Sequence, residues 1–255
     1  MRQVFGLKDF LPNAFCLGDI LKQNNYMNIF VSSPNTSFSG TGKFFFSHGY
    51  DEIYGKEKFD ELNIDYKGSS WGGGPHDSFL FNFSKKKITE MLEKNQKFSI
   101  NILTTDIHEP NGFLDPDCEY KIKTINNIIK CTSNELLKFL TFLEKDYKDK
   151  LNIVIIGDHL FRFGKNDIKE ILPKERTIFN KFISQNNNDF KREKILHYDL
   201  LPTIIDFLDI EYDGSELGIG ISGFDKIDKD QYNKRSNEIK DNILNKYKFY
   251  ENFWK

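Results

Sequence analysis

No apolar stretch in this 255-residue chain approaches the roughly 20 consecutive residues that a helix needs to cross a bilayer. The longest runs are short, and the one at 151–156 is interrupted by Asn152, so no membrane span is expected within it. The first ten residues place Arg2 and Lys8 among a few apolar side chains without a continuous apolar core or a small-residue cleavage site. They do not read as a signal peptide. An excess of one charge is also missing: 36 Lys+Arg face 38 Asp+Glu, a formal net charge of -2. With no basic stripe to neutralise a phosphate backbone, nucleic acid is not an expected partner.

Cysteine is scarce. Cys16, Cys118 and Cys131 show no metal-binding spacing, and an odd count leaves one thiol without an intramolecular partner. If the chain is exported, Cys118 pairs with Cys131; three inert thiols in a reducing cytoplasm are the alternative.

What is present is an alternation of short β-rich runs with amphipathic stretches, the pattern of an α/β fold whose parallel strands are buried on both faces. Strands are expected at 28–32, 98–104 and 151–156, and helices at 14–24 and 84–93. A helix capped by Thr132 or Ser133, with Leu136, Leu137, Leu140 and Leu143 as its apolar face, leads into the third strand as a βαβ crossover. A further helix begins near Asp199, with Pro202 in its first turn, where the missing N–H costs nothing. The length suits one large domain, 1–225, followed by a charged helical tail, 226–255, that ends in Tyr247, Phe249, Tyr250, Phe253 and Trp254. Those aromatics pack on the parent domain, or on a membrane surface or partner.

Chemistry-bearing residues gather after the expected strands, where loops vary above a rigid scaffold. Gly157, Asp158 and His159 follow the third strand, and a carboxylate next to an imidazole makes half of a divalent-metal site, or else a turn cap beside a surface histidine. After the strand at 98–104 come Thr105, Asp106, Ile107, His108, Glu109 and Pro110; there His108 can bond a phosphoryl oxygen or move a proton, unless the loop is merely capped. Lys43 lies among Gly40 and Gly42 in a segment that suits an anion but does not match a Walker loop. Trp71, the run Gly72, Gly73 and Gly74, then His76 and Asp77 form a flexible segment with an aromatic platform for a sugar or glycerol group. His197 precedes the late helix as a ligand or, by preference, a packing residue.

Taken in order, Cys16-Leu17-Gly18-Asp19, Phe38-Ser39-Gly40, Ser47-His48-Gly49-Tyr50-Asp51, Trp71-Gly72, His76-Asp77, Thr104 through Phe113, Gly157-Asp158-His159 and His197 through Thr203 form a recognisable series. The chain resembles the phosphoglycerol transferases that modify osmoregulated periplasmic glucans, relatives of lipoteichoic acid synthase in the sulfatase and alkaline-phosphatase superfamily. The resemblance implies a sheet flanked by helices and a divalent metal, Mn or Mg ahead of Zn, held by Asp158 and His159. It makes His108 the catalytic residue contacting phosphoglycerol; Thr41 stands where relatives often place a basic residue, with Lys43 displaced from it by two positions, and Lys43, Trp71, His76, Asp77 and Asp106 are the expected substrate-binding residues. It further implies a phosphoglycerol-bearing lipid donor, a glycan acceptor, and a site in the periplasm or on the outer face of the inner membrane. In such enzymes a metal-activated Thr carries the phosphoglycerol group before an acceptor hydroxyl takes it. That Thr and an acidic metal ligand precede the region that begins to match at Leu11, so the expectation is an N-terminally truncated domain, dependent on a complementing N-terminal polypeptide. A noncatalytic glycan-binding remnant and a sulfatase or phosphoethanolamine transferase relative are the alternatives.

Overall fold

Met27–Ser32, an apolar run carrying one asparagine, forms β1, the middle strand of a three-stranded parallel sheet. It is buried from Asn28 onward, as expected of a strand covered on both faces. The computed structural model describes residues 9–161, 174–185, 189–211, 216–244 and 252–254. These fall into two compact units, one of Met1–Glu144, Phe161–Lys174 and Phe253–Lys255, the other of Lys145–Leu160 and Glu175–Asn252.

In the first unit α1, Leu17–Gln23, leads into β1, and α2, Thr41–Ser47, links β1 to β2, Glu52–Tyr54. Then α3, Lys56–Glu61, and α4, Asp77–Glu93, lead to β3, Phe98–Leu103. The order is β2-β1-β3, with Ile29 opposite Glu52 on one side and Ile100 on the other. Parallel neighbours require such crossovers, and helices supply both. Ile29, Val31, Tyr54, Phe59, Leu80 and Met91 form the core, with Phe79, Phe83, Ile100 and Ile102 packed against it.

Two helices begin earlier than their sequences suggest. The first, α4, starts at Asp77 rather than 84, because the Asp106 carboxylate accepts a hydrogen bond from the Asp77 backbone N–H at 3.0 Å and supplies the negative charge that a helix N-terminus favours. The second, α5, spans Ile125–Tyr147, which places Thr132 and Ser133 inside it. Its cap is Thr124, whose hydroxyl accepts from the Asn127 N–H at 3.2 Å. Its buried face is Ile128, Cys131, Phe139 and Leu143, while Leu137 is 62% exposed. Phe139 stacks on Phe81 of α4, and Cys131 is bonded to Cys118, which ties the loop after β3 to α5. Trp254 packs against Phe10 at 5.0 Å, so this tail aromatic docks on its own chain. Tyr247, Phe249 and Tyr250 lie outside the described residues.

In the second unit β4, Ile153–Ile156, pairs antiparallel with β5, Asn180–Ile183. Among the described residues the ladder of β4 is this antiparallel one. Next come α6, Leu200–Phe207, the short β6, Glu216–Leu217, and β7, Gly220–Ile221, then α7, Lys229–Leu244. Pro202 is the third residue of α6, inside its first turn. Phe182, Phe190, Phe207 and Phe224 cluster with centroids 4.7–6.3 Å apart. The Asp199 carboxylate is buried; it accepts from the N–H groups of Leu196 and Ile221 and from the Tyr232 hydroxyl, with Arg192 3.5 Å away. Among the described residues no helix is long and apolar enough to cross a membrane.

Candidate functional site

The carboxyl ends of β1 and β3 position the first group of residues. After β1, Gly74 approaches the strand so closely that an added Cβ would lie 1.7 Å from the Ser33 carbonyl oxygen. Within the glycine run expected to be flexible, Gly74 is therefore a close-packed crossing point. The Ser33 hydroxyl donates to the Trp71 carbonyl at 3.4 Å, and Phe38 meets the indole edge-on at 4.8 Å.

After β3, the loop from Thr105 to Phe113 closes on itself: His108 N–H donates to Thr105, Gly112 N–H to His108, and Phe113 N–H to Asp106. This loop lays the His108 imidazole against Trp71, 4.5 Å between centroids and 22° between planes. His108 Nδ1–H donates to the Glu109 carbonyl at 2.7 Å, an assignment that leaves Nε2 for a ligand.

His76, Asp77 and Asp106 are brought together but buried, at 4%, 1% and 3% exposure. His76 Nδ1–H donates to Asp106 at 2.8 Å, while Asp77 accepts from the N–H groups of Thr105 at 2.7 Å and Asp106 at 3.1 Å. Buried charges persist when paired in this way. Burial, followed by the charge of Asp106, raises the Asp77 carboxyl above its ordinary value. Burial disfavours the charged form of His76, but the hydrogen bond and charge of Asp106, then the charges of Asp115 and Asp77, outweigh it and raise the imidazole. The three residues grip the start of α4 and the loop carrying His108, and none lines an open surface in this structure.

Sequence reasoning missed Asp115, which is buried and accepts from the Ser78 hydroxyl and, at 2.8 Å, from the Asp117 N–H. The Asp-Pro-Asp spelling of 115–117 marks such a turn and was the available signal. It also missed the buried hydroxyl pair Ser70–Thr105, 2.9 Å apart, which had no local signal. Lys43 sits exposed in the first turn of α2.

In the second unit Asp158 and His159 leave β4 with side chains 73% and 47% exposed. Asp158 Oδ1 accepts from the His159 N–H at 2.9 Å, and His159 Nδ1–H donates to the Leu160 carbonyl at 2.9 Å. His159 Nε2 then faces Asp158 Oδ2 at 3.5 Å. An exposed carboxylate beside an imidazole whose far nitrogen is tied to a carbonyl fits a divalent-metal half-site. His197, also exposed, places Nε2 2.9 Å from the Asp158 carbonyl oxygen, so it steadies this turn rather than packing in a core.

Residues 9–210 match the Sulfatase family. Phosphoglycerol transferase I of Escherichia coli (strain 55989 / EAEC) is 32% identical over 164 residues, 60% of this chain and 21% of that protein. The protein of the same name from Shigella boydii serotype 18 (strain CDC 3083-94 / BS512) gives the same identity and coverage. The chain thus spans about a fifth of the length of these relatives. In fold it is similar to an alkaline phosphatase superfamily protein from Vibrio parahaemolyticus, with TM-score 0.60, 21% identity, and coverage of 77% of this chain and 48% of that one. The lipoteichoic acid synthase LtaP from Listeria monocytogenes gives TM-score 0.56 and 19% identity over 85% of this chain and 56% of its own. A parallel sheet flanked by helices, the residues after its strands, and a match over most of its length agree: the chain belongs to the Sulfatase family.

Proposed function

We propose that the chain carries the phosphoglycerol-binding part of a metal-dependent transferase that moves phosphoglycerol from a lipid donor to a cell-envelope glycan. The observation that carries this reading is the imidazole of His108 held flat on Trp71 with Nε2 left for a ligand. Protonated, that nitrogen donates to a phosphoryl oxygen; neutral, it accepts the proton of a hydroxyl. The indole and the edge-on Phe38 offer apolar surface to the glycerol carbons. His76, Asp77 and Asp106 serve substrate binding by positioning the loop beneath His108, and exposed Lys43 offers charge to an anionic group.

Asp158 and His159 would hold the divalent metal, Mn²⁺ or Mg²⁺, with Zn²⁺ as the alternative. Such an ion supplies Lewis-acid stabilisation of phosphoryl charge. The reading takes its nucleophilic threonine and acidic metal ligand from polypeptide N-terminal to residues 9–210, in the same or a complementing chain. The Cys118–Cys131 disulfide supports an oxidising compartment, the periplasm or the outer face of the inner membrane.

Titration of glycerol 1-phosphate into the chain with Mn²⁺ present tests the proposal. Binding that is lost in His108→Ala and weakened in Asp158→Ala/His159→Ala supports it. Equal or stronger binding of sulfate or phosphoethanolamine would overturn the phosphoglycerol assignment.

A further inference from the structure

We propose that Cys16, Asp19 and His48 form a second metal site, a structural zinc centre that pins the start of α1 to the turn after α2. The three residues bring one sulfur, one carboxylate oxygen and one imidazole nitrogen within 4.8 Å of one another. None of them belongs to the groups assigned above to phosphoglycerol or to the Asp158–His159 metal.

The geometry around His48 points to a ligand. Its ring is 2% exposed, and its Nε2 lies 2.8 Å from the Phe10 carbonyl oxygen, an atom that can only accept. Nε2 therefore carries a hydrogen, and a metal-binding histidine characteristically makes this kind of bond with its outer nitrogen. Nδ1 is left facing Asp19 Oδ2 at 2.9 Å. Two lone pairs cannot meet there unaided: at this hydrogen-bond distance a proton joins them, and a metal ion replacing it, with bonds of about 2.0–2.1 Å in tetrahedral geometry, would hold the two donors roughly 3.3 Å apart. Asp19 Oδ2 also accepts from the Cys16 N–H at 2.8 Å, which keeps the carboxylate beside the thiol.

The frame is preorganised. An added Cβ at Gly18 would lie 2.1 Å from the His48 carbonyl oxygen, so α1 and the turn that carries His48 touch backbone to backbone. The Asn28 side-chain amide donates to the carbonyls of both Gly18 and Gly49 at 2.9 Å and locks the two segments to β1. Sulfur, imidazole and carboxylate donors together suit Zn²⁺, with a fourth position left for water. Binding displaces the Cys16 thiol proton, so affinity rises with pH.

The test uses the unreduced chain carrying Asp158→Ala/His159→Ala, in which Cys118 and Cys131 remain paired and Cys16 is the one free thiol. Co²⁺ is added first, then Zn²⁺, while the near-ultraviolet sulfur-to-cobalt absorption and the rate of Cys16 alkylation are followed. Expected are one equivalent of Co²⁺ with that absorption, its loss on adding Zn²⁺, and alkylation slowed at least about tenfold by Zn²⁺. Cys16→Ser should abolish the absorption and weaken Zn²⁺ binding by a similar factor while the circular dichroism is retained. Cobalt binding without the sulfur absorption, or alkylation unaffected by Zn²⁺, would overturn the site.

Discussion

The imidazole of His108 lies 4.5 Å from the indole of Trp71 with 22° between their planes, although 37 residues separate them in the chain. Each ring is placed by its own strand: Trp71 is bonded through its carbonyl to Ser33 just after β1, and His108 sits on the self-closed loop after β3. The stack thus couples the ends of two neighbouring parallel strands.

Removing the indole should loosen the imidazole. Aromatic pairs contribute about 0.5–1.5 kcal/mol, so Trp71→Ala should weaken glycerol phosphate binding by roughly 2–12-fold through His108 alone. Trp71→Phe, which keeps a ring face, should recover part of that. Calorimetry on the two variants checks the order.

Stability should fall as pH rises through neutrality. His76 is raised above 6.5, so its contribution is fully present below that value and is lost as pH climbs through the higher folded one. Asp77, raised above 3.8 by burial and then by Asp106, has the same sign, because the folded state holds the proton more tightly than the unfolded chain. Urea unfolding should therefore give greater stability at about pH 6 than at about pH 8.5. His76→Gln should flatten that slope; an unchanged slope would assign it to other groups.

Reduction should act mainly through the loop that ends at α5. Cys118 and Cys131 are 13 residues apart, and closing a loop of this size contributes about 3 kcal/mol by chain entropy. Cys118→Ser/Cys131→Ser should lower the urea midpoint by a corresponding amount and make it insensitive to reductant. A midpoint that still responds to reductant would place the effect elsewhere.

Gly74→Ala should be among the most damaging single-methyl additions in the chain. Its Cβ would meet the Ser33 carbonyl oxygen at 1.7 Å, a backbone atom that cannot rotate away. Destabilisation of about 1–3 kcal/mol, together with altered Trp71 fluorescence, is the expected result.

Much of the α/β framework was legible because buried strands must be apolar throughout: 28–32, 98–104 and 151–156 each lie within about two residues of β1, β3 and β4. Helix starts were less legible. Nothing near Asp77 announces that Asp106 will cap it from 29 residues away, and the alternation of leucines near 137 hid a buried face set instead by Phe81 and the disulfide.

For the candidate site, local spelling singled out His108, Asp158 and His159 as polar residues that follow apolar strands, where loops vary above a rigid scaffold. It also grouped His76, Asp77 and Asp106 as substrate contacts, whereas the fold buries all three in one another's hydrogen bonds. The sequence by itself determined which segments are apolar enough to be strands and which polar residues follow them, because both are nearest-neighbour properties of the chain. Only the tertiary structure decided that Trp71 carries His108, that His76 meets Asp106 and that Cys16, Asp19 and His48 converge. A buried charge or ring needs a partner in space, and no periodicity in the chain records how many residues away that partner lies.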